Sequence, residues 1–448
     1  MLHPDLLEIL RVLPGNDGLS GKTPETEENT DPGRTLREIV LIGAGTGSVR
    51  MLTKEAEEAL QRSDVLIGAA RLLKTFKGYA KNVFESYKSE EILEFLEGHP
   101  EYRTAAVLFS GDVGFYSGAK KLLAAIEGRA VESGEGNPRE KFRVSVICGI
   151  SSVQYFCAKC GIPWEDVCFT SLHGRDSNIA AAVSRHRRVF SLTGDRTALA
   201  DLAFRLRDLG FGDLTVRVGV NLSLKDEKIF LTTVSGLAEE APEGLTVLLF
   251  ENPEAERYIV THGIPDEDFI RGDVPMTKEE IRSVALSKLR LSRNSVVFDI
   301  GAGTGSAAVE AAKQADGGRV YAVERKAEAV ELIRKNAARF GVSNLEVVPG
   351  EAPEILEGLP APTHAFIGGS GGRLAEICND LLLKNPHVRI VITAVTLEGI
   401  AAASEFIKKR GLKDAEITQI SAARSRLIGN YHMMAGMNPV FIISFGGV

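Results

Sequence analysis

A chain of 448 residues, 44% hydrophobic and 25% charged, has the composition of a globular protein and the length of about three lobes of roughly 150 residues each. Its formal net charge of −7 argues against a general nucleic-acid binder, which is normally basic, and no apolar run is long enough to span a bilayer. The start, MLHPDLLEILRVL, carries Asp5 and Glu8 and lacks both a basic beginning and a small-residue cleavage site, so it does not read as a secretory signal. With an odd number of cysteines, five, these features predict reduced thiols in a cytoplasmic protein.

In chain order, residues 1–36 read as a flexible leader, because PGNDGLSGKTPETEENTDPGRT has too few apolar residues to fold alone. From Arg37 an α/β rhythm begins. EIVLIGAG, DVLIGA, AAVLFSGD and KFRVSVICGISS are strands, and MLTKEAEEALQRS is a helix; such alternation predicts a mostly parallel sheet. CAKC, Cys157 to Cys160, follows GISSVQYF on a helix, where cysteine serves as a small apolar residue; a lone CxxC is weak evidence for a metal, and no metal site is assigned. The next strands, RRVFSLTGD, LTVRVGVNL, KIFLTTVSGL and LTVLLFENP, lie closer together and predict a mixed sheet with fewer helices. Before them, SRHRRV reads as a solvated helix end. The expected division is a first unit over 37–253, with lobes of about 37–145 and 146–253, a polar linker over 254–273, and a second unit over 274–448. That second unit reads as a doubly wound α/β domain of about seven strands, including SVVFDIGAG, RVYAVER, LEVVPGEA, HAFIGG, VRIVITAV and NPVFIISFG.

GAGTG occurs twice, at Gly43–Gly47 and Gly301–Gly305, each time after an apolar run. A glycine turn after a strand lets backbone approach a ligand, and the helix it opens favours polar or anionic groups. Behind the second copy, VYAVER ends in Glu324, a carboxylate placed to accept hydrogen bonds from both hydroxyls of a ribose. Asp299 ends the strand beneath the loop, and GEAPE follows the next strand. The first copy has no such partner, since DVLIGA ends in Gly and Ala. The chain is therefore not a simple tandem duplication.

DIGAGTG with Glu324 resembles motifs I and II of Rossmann-like S-adenosylmethionine (SAM) methyltransferases. VLIGAGTGSVRMLTKEAEEALQRSDVLIGA, LFSGDVGFYSGA, CGISSVQYF and SLHGR resemble the tetrapyrrole methylase family, in particular the cobalamin-pathway branch that methylates C5 of precorrin-6Y. Thr46 and Ser48 stand where the wider family usually carries Pro and Asp. From about Met276, the stretches MTKEEIRSVALSKLRL, DIGAGTG, AVER, GEAPE, FIGGSGG and NPVFIISF resemble the partner enzymes that methylate C15 and decarboxylate the C12 acetate. The resemblance implies a bifunctional SAM-dependent methyltransferase acting on precorrin-6Y or its cobalt form, two SAM sites per chain, and a homo-oligomer. Such a protein is expected to bind neither nucleic acid nor membrane.

On that resemblance, SAM in the first half lies on Gly111, Asp112, Val113, Phe115 and Ser117 and on Gly149, Ser151 and Ser152, while Gly43 and Gly45 face the substrate. Arg175 would grip a substrate carboxylate and His173 would move protons. In the second half Thr277, Gly301, Gly303, Thr304 and Gly305 would contact SAM, Glu324 the ribose, and Glu351 and Ala352 the adenine. Arg373, Arg424, Arg426 and His432 are expected at the substrate, whose acetates and propionates suit bidentate arginine; Arg373 and His432 join His173 and Arg175 as candidate catalytic groups. Competing readings are an RNA methyltransferase with an accessory domain, a nicotinamide-dependent dehydrogenase and a SAM sensor without activity. FIGGSGG, where an NPPY-type stretch would stand, disfavours the first.

Overall fold

The computed structural model describes residues 37–132, 142–172, 178–193, 195–257, 259 and 261–447; the leader and the expected site residues His173 and Arg175 lie outside them. Three sheets follow one another along the chain. The first holds β1 (Arg37–Gly43), β2 (Val65–Gly68), β3 (Asn82–Glu85), β4 (Thr104–Phe109) and β5 (Phe142–Ile147) in the order β3-β2-β4-β1-β5, every pairing parallel. From Ile39 to Gly43 β1 is buried, as a central strand with both faces covered must be, and this is why its sequence is a continuous apolar run. Its neighbour helix Lys54–Arg62 starts where the Thr53 hydroxyl accepts the Ala56 amide, with Glu55 and Glu57 in its first turn and Arg62 in its last, charges that complement the helix dipole.

The second sheet is mixed, as expected. β6 (Cys168–Ser171), β7 (Arg188–Leu192), β8 (Thr215–Val220), β9 (Lys228–Thr233) and β10 (Thr246–Glu251) run in the order β6-β7-β10-β8-β9, with only β6–β7 parallel. The CAKC segment closes the helix Ser152–Cys160; Cys157 is fully buried, and burial pushes its thiol up to about 11.

The third sheet has seven strands: β11 (Val296–Ile300), β12 (Arg319–Glu324), β13 (Leu345–Pro349), β14 (His364–Ile367), β15 (Arg389–Ala394), β16 (Glu416–Ile420) and, after a separate hairpin of β17 (Ala423–Ile428) and β18 (Tyr431–Gly436), β19 (Val440–Phe445). The order is β13-β12-β11-β14-β15-β19-β16; the first five strands are parallel and β19 is antiparallel to both neighbours. Chain order reverses between β11 and β14, the switch point at which such sheets bind ligands. Two apolar cores cover its two faces, one centred on Val297, Val320 and Ile333, the other on Ile300, Ile367 and Leu381.

Two places differ from the sequence reading. The stretch 254–273 is no free tether: Phe269 packs in the core of the third sheet and Asp266 is buried. Arg185, in the basic run read as a solvated helix end, docks instead on Asp316 of the second half, which Arg293 also holds at 2.9 Å. Asn178 donates to the Asp316 backbone oxygen (3.0 Å) and accepts from Ser343 (2.7 Å), tying the halves together. Among the described residues no helix is long and apolar enough to cross a membrane.

Candidate active sites

Parallel strands bring loops to one edge, and the second GAGTG sits at the carboxyl edge of β11. Gly301, Gly303 and Gly305 have φ of +71°, +57° and +78°, the left-handed region that glycine adopts without steric cost. Room is short on both sides: a Cβ on Gly301 would come within 2.6 Å of the Gly369 carbonyl oxygen, and one on Gly303 within 2.5 Å of that of Pro275. Glu324, buried at the end of β12, accepts from the amides of Gly303 (3.0 Å), Arg325 and Lys326 (2.9 Å each). Its carboxylate is therefore fixed by three backbone donors and aimed along the edge where β13 and β14 also end.

These loops surround a cleft of about 570 Å³. Of the residues expected at the cofactor, Thr277, Gly301, Gly303, Glu324, Glu351 and Ala352 line it. Thr304 and Gly305 do not: Thr304 is fully buried with its carbonyl bonded by Asn336, and Gly305 backs onto Ile333, so they shape the loop from behind. Sequence reading did not assign Met276, Ser370, Thr393, Val395, Met437 and Asn438 to the wall; they come from four separate segments, and the stretches MTKEEIR, FIGGSGG, VRIVITAV and NPVFIISF that hold five of them carry no signal of which residue faces the cleft. Arg325 and Glu351 pair at 2.8 Å on the rim.

Asp299 lies beneath the loop, almost wholly buried, with neither carboxylate oxygen in a hydrogen bond of normal geometry. Burial pushes its carboxyl up to about 7, the nearby Glu324 charge adds to this, and the Ala308 amide offsets it only in part.

The expected substrate cations fall elsewhere. Arg373 caps the helix Leu374–Lys384 and is held by Glu354 (2.8 and 2.6 Å) and Glu376 (3.1 and 2.7 Å), which raise its already high pKa. Arg424 is bound by Glu280 (2.5 and 2.8 Å), Asp266 (3.2 Å) and Glu279 (3.4 Å). Both are thus already paired. Arg426 and His432 are exposed on the β17–β18 hairpin, opposite Met433 and Leu427 respectively. That hairpin, the expected place of substrate contacts, presents Leu427, Ile428, Tyr431, Met433 and Met434 to solvent, with Tyr431 77% exposed.

In the first half three adjacent strands, β4-β1-β5, end in glycine turns that touch. A Cβ on Gly149 would fall 2.4 Å from the carbonyl oxygens of both Gly43 and Gly111, and Gly45 and Gly111 exchange backbone hydrogen bonds of 3.1 and 2.7 Å. Asp112 joins the two expected cofactor walls: Oδ1 accepts from the Gly114 amide (2.8 Å) and Oδ2 from that of Gly149 (3.0 Å). It thus bridges loops and does not cap a helix. Ser117 accepts the Ala119 amide at the start of the helix Ala119–Glu132. Ser151, buried, forms a capping box with Gln154 on the helix that begins at Ser152. Phe115 packs edge-on against Phe169 of the second lobe (5.5 Å), while Val113 leans on the first sheet's core. Thr46 of the first glycine loop donates to Ser223 of the second lobe at 2.7 Å. Arg71, which sequence reading passed over, reaches the Ser110 hydroxyl at 3.0 Å.

Fold and sites together define two unlike methyltransferase architectures in one chain, each with a glycine turn at a parallel sheet edge. Residues 38–238 match the tetrapyrrole (corrin/porphyrin) methylases and residues 268–445 the precorrin methyltransferase domain. A probable cobalt-precorrin-6B C(15)-methyltransferase (decarboxylating) of Pyrobaculum calidifontis is 49% identical over 187 residues, which are 41% of this chain and 95% of that protein. The cobalt-precorrin-6B C(15)-methyltransferase (decarboxylating) of Salmonella typhimurium is 38% identical over 181 residues, 40% of this chain and 93% of that one. The crystal structure of precorrin-6Y C5,15-methyltransferase from Geobacter metallireducens, 38% identical, covers 42% of this chain and 100% of its own, with a TM-score of 0.40. The chain belongs to the precorrin methyltransferase family, with a tetrapyrrole methylase domain ahead of the precorrin methyltransferase domain. It is an enzyme of the SAM-dependent C-methyltransferase class.

Proposed function

We propose that the protein methylates precorrin-6Y, or its cobalt form, at C5 and C15 and removes the carboxyl group of the C12 acetate, in cobalamin biosynthesis. The first reaction belongs to the unit over 37–253 and the other two to that over 274–448, with one SAM site in each. The observation that carries this reading is the pairing of two unlike glycine-turn sites, one presenting the fixed Glu324 carboxylate and one the Asp112 bridge between Gly111 and Gly149.

The residues present fit SAM. Gly301 and Gly303 present bare backbone to the cleft, and Glu324 offers a fixed anionic acceptor to a diol. SAM supplies an electrophilic methyl group, and the acceptor is an electron-rich carbon of the macrocycle. Such a displacement needs alignment more than a strong base, so positioning is the main contribution of the chain. In the second half the amide-fixed Glu324, the lip Met276–Lys278 and the Gly301–Gly303 turn hold the donor at the carboxyl edge. In the first half the close contact of Gly43, Gly111 and Gly149 fixes the spacing of the two walls. Methyl transfer leaves a positive charge on the macrocycle that is discharged by loss of a proton. Decarboxylation breaks the bond to the acetate carboxyl, leaves its electron pair in the conjugated ring, and ends with protonation to a methyl group.

Incubation with labelled SAM and precorrin-6Y, followed by mass spectrometry, is expected to show a product that has gained two methyl groups and lost one carbon dioxide. A product with no methyl gain overturns the reading. Titration calorimetry is expected to give two SAM sites per chain; a single site, with both units folded, overturns the division. The exposed apolar hairpin residues also support a homo-oligomer, which light scattering tests: a monomer at working concentration overturns it.

A further inference from the structure

We infer that Arg71 receives a carboxylate of the tetrapyrrole in the first half, so that this half has a substrate anchor separate from its SAM walls. The inference rests on the proposed function and adds the residue that recognises the substrate's charge.

Position comes first. Arg71 stands at the beginning of the helix Ala70–Phe76, directly after β2, on the same carboxyl edge of the sheet as the three touching glycines. Its Nη2 donates to Ser110 Oγ at 3.0 Å, at the end of β4 and next to Gly111. Its Nη1 lies against the first glycine turn: a Cβ on Gly47, where φ is +110°, would sit 3.2 Å from it. The same Cβ would sit 3.6 Å from Leu224 of the second lobe, whose neighbour Ser223 is bonded by Thr46. The guanidinium therefore lies beside the first glycine turn, at Gly47, where Leu224 of the second lobe also approaches.

Charge comes second. Among the described residues no carboxylate pairs with Arg71, and its hydrogen bond goes to a neutral hydroxyl. Arg373 and Arg424, by contrast, are held by two and three acidic residues respectively. Surrounding protein lowers the Arg71 pKa by desolvation. Arg71 is nonetheless exposed, so it is reachable from solvent, and an anion bound beside it would supply the counter-charge that the described residues do not. Among the described residues the N–H groups of the fork have no partner beyond Ser110, and a planar fork suits a carboxylate with two parallel hydrogen bonds. Ser110 accepts from Arg71 through its oxygen, so its own proton is available to the same carboxylate. A corrin precursor, ringed by acetate and propionate chains, carries that group.

The test is steady-state C5 methylation by the full chain, varying precorrin-6Y at saturating SAM. R71A is expected to raise KM for the tetrapyrrole roughly ten- to a hundredfold, the range for losing a charge-assisted pair, with kcat changed less than about threefold. R71K keeps the charge but loses the fork and is expected to fall between R71A and wild type. SAM affinity, measured by calorimetry, and C15 methylation should match wild type in both variants. An R71A enzyme with wild-type KM overturns the inference while leaving the proposed function standing. So does a loss of SAM affinity as large as the loss of turnover, which would make Arg71 a brace for the cofactor walls. A wild-type chain that does not turn over the tetrapyrrole overturns the proposed function and this inference with it.

Discussion

Glu324 and Asp299 show how two carboxyl groups near one loop take different roles from their surroundings. Three amides fix Glu324, so its geometry does not have to be organised when a diol binds. Glu324→Ala is expected to weaken SAM binding in the second half by on the order of 2–3 kcal/mol, about 30- to 150-fold. C5 methylation, in the other half, should survive; the product then carries one added methyl group and retains the acetate carboxyl, which mass spectrometry reads directly. Unchanged C15 methylation at limiting SAM would sink the assignment of Glu324. Asp299 behaves in the opposite way. Its folded pKa, about 7, stands above the ordinary aspartate value near 4, so between about pH 4 and pH 7 the folded chain holds a proton that the unfolded chain has lost. The contribution of this group to stability therefore falls as pH rises through that window and is level above it. Asp299→Asn, neutral at every pH, should gain in melting temperature relative to wild type as pH goes from 4 to 8. A difference between the two that does not change with pH would show that Asp299 does not titrate in this window.

At the scale of elements, the lip of the second cleft is held by buried charge. Arg282, on the helix Glu279–Leu289, has no exposed surface; it bonds Glu310 (2.5 Å), Asp266 (3.3 Å) and the Thr277 carbonyl (2.7 Å). Asp266 also accepts from the Glu279 amide at 3.0 Å and pairs with Arg424 at the base of the hairpin. The network therefore joins the stretch before the third sheet, the lip residue Thr277 and β17. Asp266→Ala removes the carboxylate while Arg282 stays buried, and it is expected to destabilise the second half by roughly 3–5 kcal/mol. Arg424→Ala, a residue whose side chain is 37% exposed, should cost only about 1 kcal/mol, because solvent screens its pairs. Chemical denaturation of the two variants checks the order. Equal losses would mean that the hairpin contact, and not the buried pair, supports the lip.

At the scale of the whole molecule, the two halves meet through Asp316. It is buried, shared between Arg185 of the first half and Arg293 of its own, and flanked by the Asn178–Ser343 hydrogen bond. Near it Phe211 lies so close to Gly341 that a Cβ there would come within 3.2 Å of its ring. An interface fastened by a partly buried ion pair couples the unfolding of the halves. Asp316→Ala is expected to weaken it by about 2 kcal/mol or more, separating the thermal transition of the full chain into two. Each half should keep its SAM affinity, since neither site includes Asp316. A single unshifted transition would show that the contact carries no coupling.

The sequence by itself determined whatever depends on neighbours along the chain. Buried central strands such as β1, β11 and β15 are continuous apolar runs, the glycine turns follow them directly, and Glu324 ends the next strand; strand, turn and carboxylate could be read in line. The strands that escaped notice, β3, β6, β16 and the hairpin strands β17 and β18, all lie at sheet edges. An edge strand is short or half wet, as NVFE and EITQI are, and leaves no apolar signature. Only the tertiary structure decided which charges are free to meet a ligand. Arg373, Arg424 and Arg71 look alike in sequence, since an arginine's availability depends on carboxylates brought to it from distant segments. Folding places Glu354, Glu376, Glu280 and Asp266 around the first two and no carboxylate among the described residues beside the third. The same holds for Asp299, an ordinary aspartate in the sequence, whose raised pKa comes from burial in the folded chain and from the Glu324 charge brought near it.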